Sequence, residues 1–156
     1  MPPFLAYDAP GCGETACADV SRVSIPLLVA AARAVLRELE IERFHLVGHS
    51  MGGLTALLLA SREPSPVLSF IDVRGIFESM VELSHHGDLM TKFRSLPCPR
   101  MFMYGEQNSS LSYLPTLAAN GIDLAEISDS SHWPMYSNPV AMWERIAEFL
   151  TRKKLP

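Results

Sequence analysis

The chain has 156 residues, of which 48% are hydrophobic and 19% charged, and its formal net charge is -4. This size and composition predict one packed domain over residues 1–156, and the mild acidity argues against nucleic acid and polybasic membrane contacts. We expect the partner to be a small, neutral molecule. The longest apolar run, residues 25–36, is interrupted by Arg33 and is too short to span a membrane.

The sequence also bears on location and on metal binding. The first residues lack the basic region and the cleavage site of a signal peptide, so we expect a cytoplasmic protein. The cysteines Cys12, Cys17 and Cys98 match no zinc or redox spacing and are expected to be reduced and structural. His85 and His86 lack the i, i+4 spacing of a helical metal pair and are expected in a solvated loop. No metal or cofactor is therefore implied.

Segments with strand character alternate with helical segments along the chain, separated by proline, glycine and other turn residues. Ser24 as N-cap and Pro26 in the first turn predict the start of the first helix. Such alternation predicts an α/β fold, with a mostly parallel sheet of about five strands and helices on both faces. The predicted strands are 4–8, 44–47, 67–73, 100–104 and 123–127, and the predicted helices are 24–39, 51–62, 110–119 and 139–153. Residues 74–96 are harder to interpret, with helices near 76–83 and 88–96.

The most informative segment joins the second strand to the second helix and reads Gly48-His49-Ser50-Met51-Gly52. This G-x-S-x-G pattern predicts that Ser50 lies at a strand-to-helix corner, where a nucleophile stands clear of the sheet. Side chains at positions 48 and 52 are expected to collide as the strand and the helix close up. Since a serine hydroxyl is inert near neutral pH, Ser50 also requires a histidine base and a carboxylate behind it.

This strand-to-helix corner, a nucleophile elbow, resembles the one found in the serine-nucleophile branch of the α/β-hydrolase superfamily. In that family the chain order is serine, acid, histidine, and the loop around His132 is similar to the family's histidine loop. The resemblance therefore implies that His132 is the general base. His49 is expected to point away from the nucleophile and to serve in packing or hydrogen bonding, and His45 is expected at the edge of the core. A second similarity is the Asp-x-Pro-Gly-x-Gly loop, matched here by Asp8, Pro10, Gly11 and Gly13.

The resemblance leaves three positions open for the acid. The commonest family position, three residues past Gly105, holds Asn108, and an amide cannot stabilise the imidazolium that forms during catalysis. A minority of the superfamily takes the acid from the end of the strand after the elbow helix. Asp72 stands there, as an ionisable group closing an apolar strand, and is the favoured acid. Glu106 is the next candidate.

The type of nucleophile narrows the chemistry. A serine implies an acyl-enzyme and cleavage of a small ester or related acyl substrate, with the Met51 N–H as part of the oxyanion hole. The dehalogenase and epoxide-hydrolase branches are disfavoured because they need an aspartate nucleophile. Lyase and perhydrolase chemistry use the same triad and stay open. A catalytically inactive homologue that works as a binding or assembly module is the alternative from another class.

On this alignment the chain begins at the family's fourth strand, so the first three strands are expected to be absent. The loop that supplies the second oxyanion donor is then also expected to be absent. Loss of one such donor costs roughly 3 to 4 kcal/mol of transition-state stabilisation. Residues 74–96 leave room only for a vestigial cap or connector. Without the third strand, the sheet edge beside residues 44–47 would be open to self-association.

Overall fold

Four strands form one parallel sheet in the computed structural model, which describes residues 3–73 and 88–152. The strands lie in the sheet in their chain order, and every neighbouring pair is parallel. Parallel neighbours require a crossover connection, and a helix lies in each of the three connections. The strands are β1 (Phe44–His49), β2 (Val67–Val73), β3 (Arg100–Gly105) and β4 (Asp123–Ile127).

The helices confirm the predicted α/β class. Within the described ranges they are α1 (Ile25–Glu38), α2 (Met51–Arg62), α3 (Leu89–Ser95), α4 (Leu114–Ala119), α5 (Pro134–Ser137) and α6 (Pro139–Arg152). The short helix α5 was not predicted, and the helix predicted near 76–83 lies outside the described residues. None of the helices in 3–73 and 88–152 is long and apolar enough to cross a membrane.

The strand predicted at residues 4–8 is wrong, because this segment has no regular secondary structure. A side-chain hydrogen bond and two glycines with positive φ determine the backbone path of this segment and of the turn that follows it. The Asp8 carboxylate accepts a hydrogen bond from the Glu14 backbone N–H at 2.9 Å. Gly11 and Gly13 have φ angles of 80° and 52°, which glycine adopts without strain. The Asp-x-Pro-Gly-x-Gly segment is therefore a local turn closed by its own aspartate.

Tertiary contacts divide the chain into two compact units, residues 1–42 and residues 43–156. The first unit contains α1, whose buried residues follow the spacing of one helix face. These residues are Ile25, Leu28, Val29 and Ala32. The second unit contains the sheet and the remaining helices.

The sheet of the second unit is covered on both faces. One face packs against α6, because alternate strand residues point to the same side and meet the apolar stripe of that helix. This core consists of Ile71, Val73, Met101, Met103, Ala125 and Ile127 with Met142, Ile146 and Phe149. On the other face, α2 lies over Asp72, and the ring of Phe93 in α3 meets that of Phe70 edge-on at 5.4 Å. The predicted arrangement of helices on both faces is therefore present.

One edge of the described sheet is β1, which is hydrogen-bonded to β2 in the four-strand order. Its central residue Val47 is 38% exposed. An edge strand carries backbone groups that can pair with another strand. Self-association through this edge stays a prediction.

Candidate active site

Ser50 lies between the last residue of β1 and the first residue of α2. Its backbone angles are φ 53° and ψ -124°, a conformation that residues other than glycine rarely adopt. Such strain costs about 1 to 3 kcal/mol and is held only where the surrounding structure enforces it. The hydroxyl makes no capping hydrogen bond to the helix. A strained serine at this corner is the geometry of a nucleophile elbow.

The first turn of α2 presents backbone donors beside Ser50. The first helical hydrogen bond runs from the Leu54 N–H to the Ser50 carbonyl at 3.2 Å. The N–H groups of Met51, Gly52 and Gly53 precede it and therefore have no acceptor within the helix. They also lie at the positive end of the helix dipole. The arrangement is suited to an oxygen that gains negative charge next to the serine.

The glycines of the elbow differ in how closely they are packed. A Cβ at Gly48 would lie 2.6 Å from both the Gly52 carbonyl oxygen and the Gly53 Cα, which agrees with the expected collision. A Cβ at Gly52 would meet no atom within 4 Å, so the collision expected there is wrong. The crowded helical position is instead Gly53, where a Cβ would collide with the Asp72 carboxylate. The third residue of α2 faces the sheet, and the second does not.

His132 lies in the loop between β4 and α5 and is half-buried. Its carbonyl oxygen accepts a hydrogen bond from the His49 ring at 2.9 Å, and the centroids of the two imidazole rings are 4.9 Å apart. Because His49 immediately precedes Ser50, this contact brings the elbow and the histidine loop side by side. The indole of Trp133, which is 50% exposed, lies 4.7 Å from the His49 ring and 4.8 Å from the His132 ring.

The hydrogen bond defines the chemical state of His49. A carbonyl can only accept, so Nε2 of His49 carries a proton and donates it. Burial lowers the pKa of His49, the bond to the His132 carbonyl raises it, and repulsion from charge on His132 lowers it again. His49 thus both packs against the loop and bonds to it, as its predicted role required. Its partner is 83 residues away in the chain, so no local sequence pattern could identify it.

The end of β3 also holds the histidine loop. The Gln107 N–H donates to the Ser130 carbonyl at 3.1 Å, and the Asp129 N–H donates to the Glu106 carboxylate at 3.0 Å. A Cβ at Gly105 would collide with the backbone of Ser130 and its neighbour, so glycine permits this close approach. These contacts bring the loop to the carboxyl ends of β1 and β3.

The three candidates for the acid have different surroundings. Asp72 is completely buried and lies opposite Gly48 in β1, with its carboxylate over Gly53. Glu106 is exposed and accepts the backbone hydrogen bond that fixes the histidine loop. Asn108 is half-buried, and its amide nitrogen has no hydrogen-bond partner among the described residues. Asp72 is thus the one buried carboxylate of the three side chains, directly beneath the elbow.

The remaining histidines and cysteines lie elsewhere. His45 lies on β1, half-buried, with its Nδ1 2.7 Å from the Ser69 hydroxyl of β2, and burial lowers the pKa of His45. His85 and His86 fall outside the described residues. Cys12 is exposed, Cys98 is buried, and the cysteines form no disulfide in the described part of the chain. Over residues 3–73 and 88–152, no cluster of three histidine, cysteine, aspartate or glutamate side chains has the geometry of a metal site.

Curated relatives match parts of the chain. An esterase from Mycobacterium tuberculosis is 35% identical over 107 residues, which are 67% of this chain and 33% of that protein. A serine hydrolase-like protein from Danio rerio is 34% identical over 57% of this chain and 24% of its own length. The acetyltransferase component of an acetoin cleaving system from Pseudomonas putida is 40% identical over 49% of this chain and 21% of its own length. The chain therefore spans a third or less of these relatives.

Solved structures share the fold over nearly the whole chain. A predicted CIB-like hydrolase from Thermoplasma acidophilum superposes with a TM-score of 0.76 at 20% identity, covering 93% of this chain and 70% of that one. A meta-cleavage product hydrolase from Pseudomonas fluorescens has a TM-score of 0.69 at 17% identity, covering 94% and 79%. At these identities the likeness shows the fold alone. The sequence profile described as "alpha/beta hydrolase fold" matches residues 3–96, more than half of the chain. With the elbow and the parallel sheet described above, this match shows that the chain belongs to the α/β hydrolase fold family.

Proposed function

We propose that this chain is a serine hydrolase that cleaves a small ester or related acyl substrate through an acyl-enzyme. Ser50 is the nucleophile, His132 the general base and Asp72 the acid, and the Met51 N–H contributes to the oxyanion hole. The observation that carries the proposal is the juxtaposition of a strained serine at a helix N-terminus with the histidine loop. The names of the relatives, an esterase and a serine hydrolase-like protein, support the same class.

In the proposed reaction, the Ser50 hydroxyl oxygen attacks the carbonyl carbon of the substrate while His132 takes the hydroxyl proton. The carbonyl oxygen becomes an oxyanion, which the N–H groups at the start of α2 stabilise. Collapse of this intermediate breaks the bond to the leaving group, which receives the proton from His132. Water, deprotonated by His132, then attacks the acyl-enzyme, and His132 returns the proton to the Ser50 oxygen as the carboxylic acid product leaves. Asp72 stabilises the imidazolium in both steps.

A second candidate is a homologue that keeps the elbow but does not catalyse and acts as a binding or assembly module. The observation in its favour is that the backbone donors described beside Ser50 all belong to the first turn of α2. The α2 terminus supplies donors from one side of the oxyanion, whereas the family's second donor comes from a loop after an earlier strand. Loss of one of two oxyanion donors reduces turnover by about a hundredfold to a thousandfold.

A fluorophosphonate probe separates the two candidates, since it phosphonylates a serine hydroxyl only when a neighbouring base activates it. We expect folded wild-type protein to be labelled at Ser50, as located by mass spectrometry of the modified peptide. Labelling should disappear in Ser50→Ala, with the fold verified by circular dichroism. The matched control is Ser95→Ala, because Ser95 is exposed and its hydroxyl donates to the Lys92 carbonyl of its own helix. Labelling of that variant should equal that of the wild type.

Two results would contradict the hydrolase. Folded wild-type protein that resists the probe would favour the non-catalytic module, and labelling that persists in Ser50→Ala would locate the nucleophile elsewhere. Hydrolysis of short p-nitrophenyl esters then tests turnover, which the same Ser50→Ala variant should lose.

A further inference from the structure

We propose that His49 is a positioning residue, which holds the His132 loop against the elbow through its hydrogen bond to the His132 carbonyl. The bond length of 2.9 Å and the ring centroid distance of 4.9 Å carry the inference. The inference rests on the proposed roles of Ser50 and His132. It adds how the distance between the nucleophile and the base is maintained.

The hydrogen bond from His49, called the anchor below, is made to the backbone of His132, the proposed base. The contacts from the end of β3 fix the loop at Asp129 and Ser130, three and two residues before the histidine. After the histidine, the Trp133 carbonyl accepts the N–H groups of the turn that begins α5. Between these two sets of contacts, His49 holds the carbonyl of residue 132. Because the peptide unit is planar, fixing this carbonyl restricts the direction in which the His132 side chain leaves the backbone.

The location of His49 makes it an effective anchor. It is the last residue of β1, and the ladder to β2 extends to its own position, opposite Val73. Its ring lies within 5 Å of both the His132 ring and the Trp133 indole, which limits its rotation. One end of the anchor is thus continuous with the backbone of Ser50. A displacement of the loop would have to break a hydrogen bond to the residue next to the nucleophile.

The charge state of His49 fits the same role. His132 becomes a cation when it takes the serine proton, and a second cation at this distance would oppose that step. Burial lowers the pKa of His49, which favours the neutral ring. A neutral His49 with its proton on Nε2 donates to the loop without this repulsion.

Two substitutions separate the hydrogen bond from the packing. His49→Phe keeps an aromatic ring beside Trp133 but removes the donor, whereas His49→Gln removes the ring and retains an N–H at similar reach. We expect His49→Phe to lower kcat for a short ester by about tenfold to a hundredfold, the effect of displacing a reacting group by about 1 Å. KM should change by less than about threefold, since ground-state binding is not altered. His49→Gln should recover most of the lost kcat.

Hydrogen exchange of the loop tests the anchor without reference to catalysis. Peptides covering residues 128–134 should exchange faster in His49→Phe than in the wild type or in His49→Gln, while peptides from β3 should be unchanged. Equal exchange in all three proteins, or equal loss of kcat in both variants, would overturn the proposal. Failure of the proposed function has a different signature. The wild type itself would then resist the fluorophosphonate, while the exchange experiment would still decide whether His49 holds the loop.

Discussion

Replacing Asp72 with asparagine is expected to lower ester turnover by about a thousandfold to ten-thousandfold, the size of effect seen when a triad aspartate becomes an amide. The amide retains the shape of the buried side chain but loses the charge that stabilises the imidazolium in the proposed mechanism. Turnover of short p-nitrophenyl esters by the folded variant is the measurement. Asn108→Ala, at the position where the family more commonly places the acid, should lower turnover by less than about tenfold.

The structure also gives Asp72 a structural contact, so the experiment must separate two roles. Its carboxylate lies over Gly53 on the face of the sheet covered by α2. If Asp72 only supports that helix, Asp72→Asn will lower the melting temperature while the folded fraction retains turnover within about tenfold of the wild type. That result would remove Asp72 from the triad. The proposed role requires the opposite pattern, in which turnover falls far more than the folded population does.

A carboxylate at position 108 offers a rescue experiment. Asn108 follows the end of β3 in the short turn whose neighbours Glu106 and Gln107 bond to the histidine loop. Asn108→Asp in the Asp72→Asn background is expected to restore part of the lost turnover, because it supplies the missing charge at the family's commonest acid position. Restoration would support a charge role for Asp72. If Asn108→Asp raised turnover equally in the wild-type background, the acid at position 72 would not be functional.

Local patterns were sufficient to predict the fold class and the elbow. The periodicity of apolar residues and the proline and glycine boundaries indicate β2, β4 and α2 at the bounds observed, and the G-x-S-x-G pattern predicts the corner at Ser50. Such features depend on residues within one turn or one strand. Residues 4–8 differ from the prediction because an apolar run forms a strand only where a neighbouring strand pairs with it, and here the Asp8 carboxylate closes a turn instead.

The features that sequence reasoning missed are contacts between distant segments. His49 was expected to pack or to bond, but its acceptor on the His132 loop is known only once β1 and the loop are placed together. Glu106 is the second candidate for the acid, and its carboxylate accepts a hydrogen bond from the Asp129 N–H of that loop, a contact that the sequence does not indicate. Gly53 lay outside the five-residue motif, and only the position of Asp72 shows why it has no side chain. In each case the deciding partner lies on another element.

The elbow glycines provide a matched series for stability. Gly48→Ala and Gly53→Ala are expected to lower the free energy of unfolding by about 2 to 4 kcal/mol, because the first Cβ meets backbone atoms of the elbow and the second meets the buried Asp72 carboxylate. Gly52→Ala should be neutral or stabilising by up to about 1 kcal/mol, since its Cβ meets nothing and alanine favours the helix. Urea denaturation of the three variants measures the difference.

The obstacle at Gly53 can itself be tested by a double-mutant cycle, since the atom that its Cβ would meet first is the Asp72 carboxylate oxygen. Asp72→Ala removes that oxygen, so Gly53→Ala should cost less in the Asp72→Ala background than in the wild type, with a coupling of about 1 kcal/mol or more. Gly48→Ala is the comparison, because the atoms nearest to its Cβ belong to the backbone of Gly52 and Gly53. Its cost should therefore change less between the two backgrounds than the cost of Gly53→Ala. Equal costs for Gly53→Ala in the two backgrounds would mean that the helix, and not the buried carboxylate beneath it, sets the requirement for glycine at position 53.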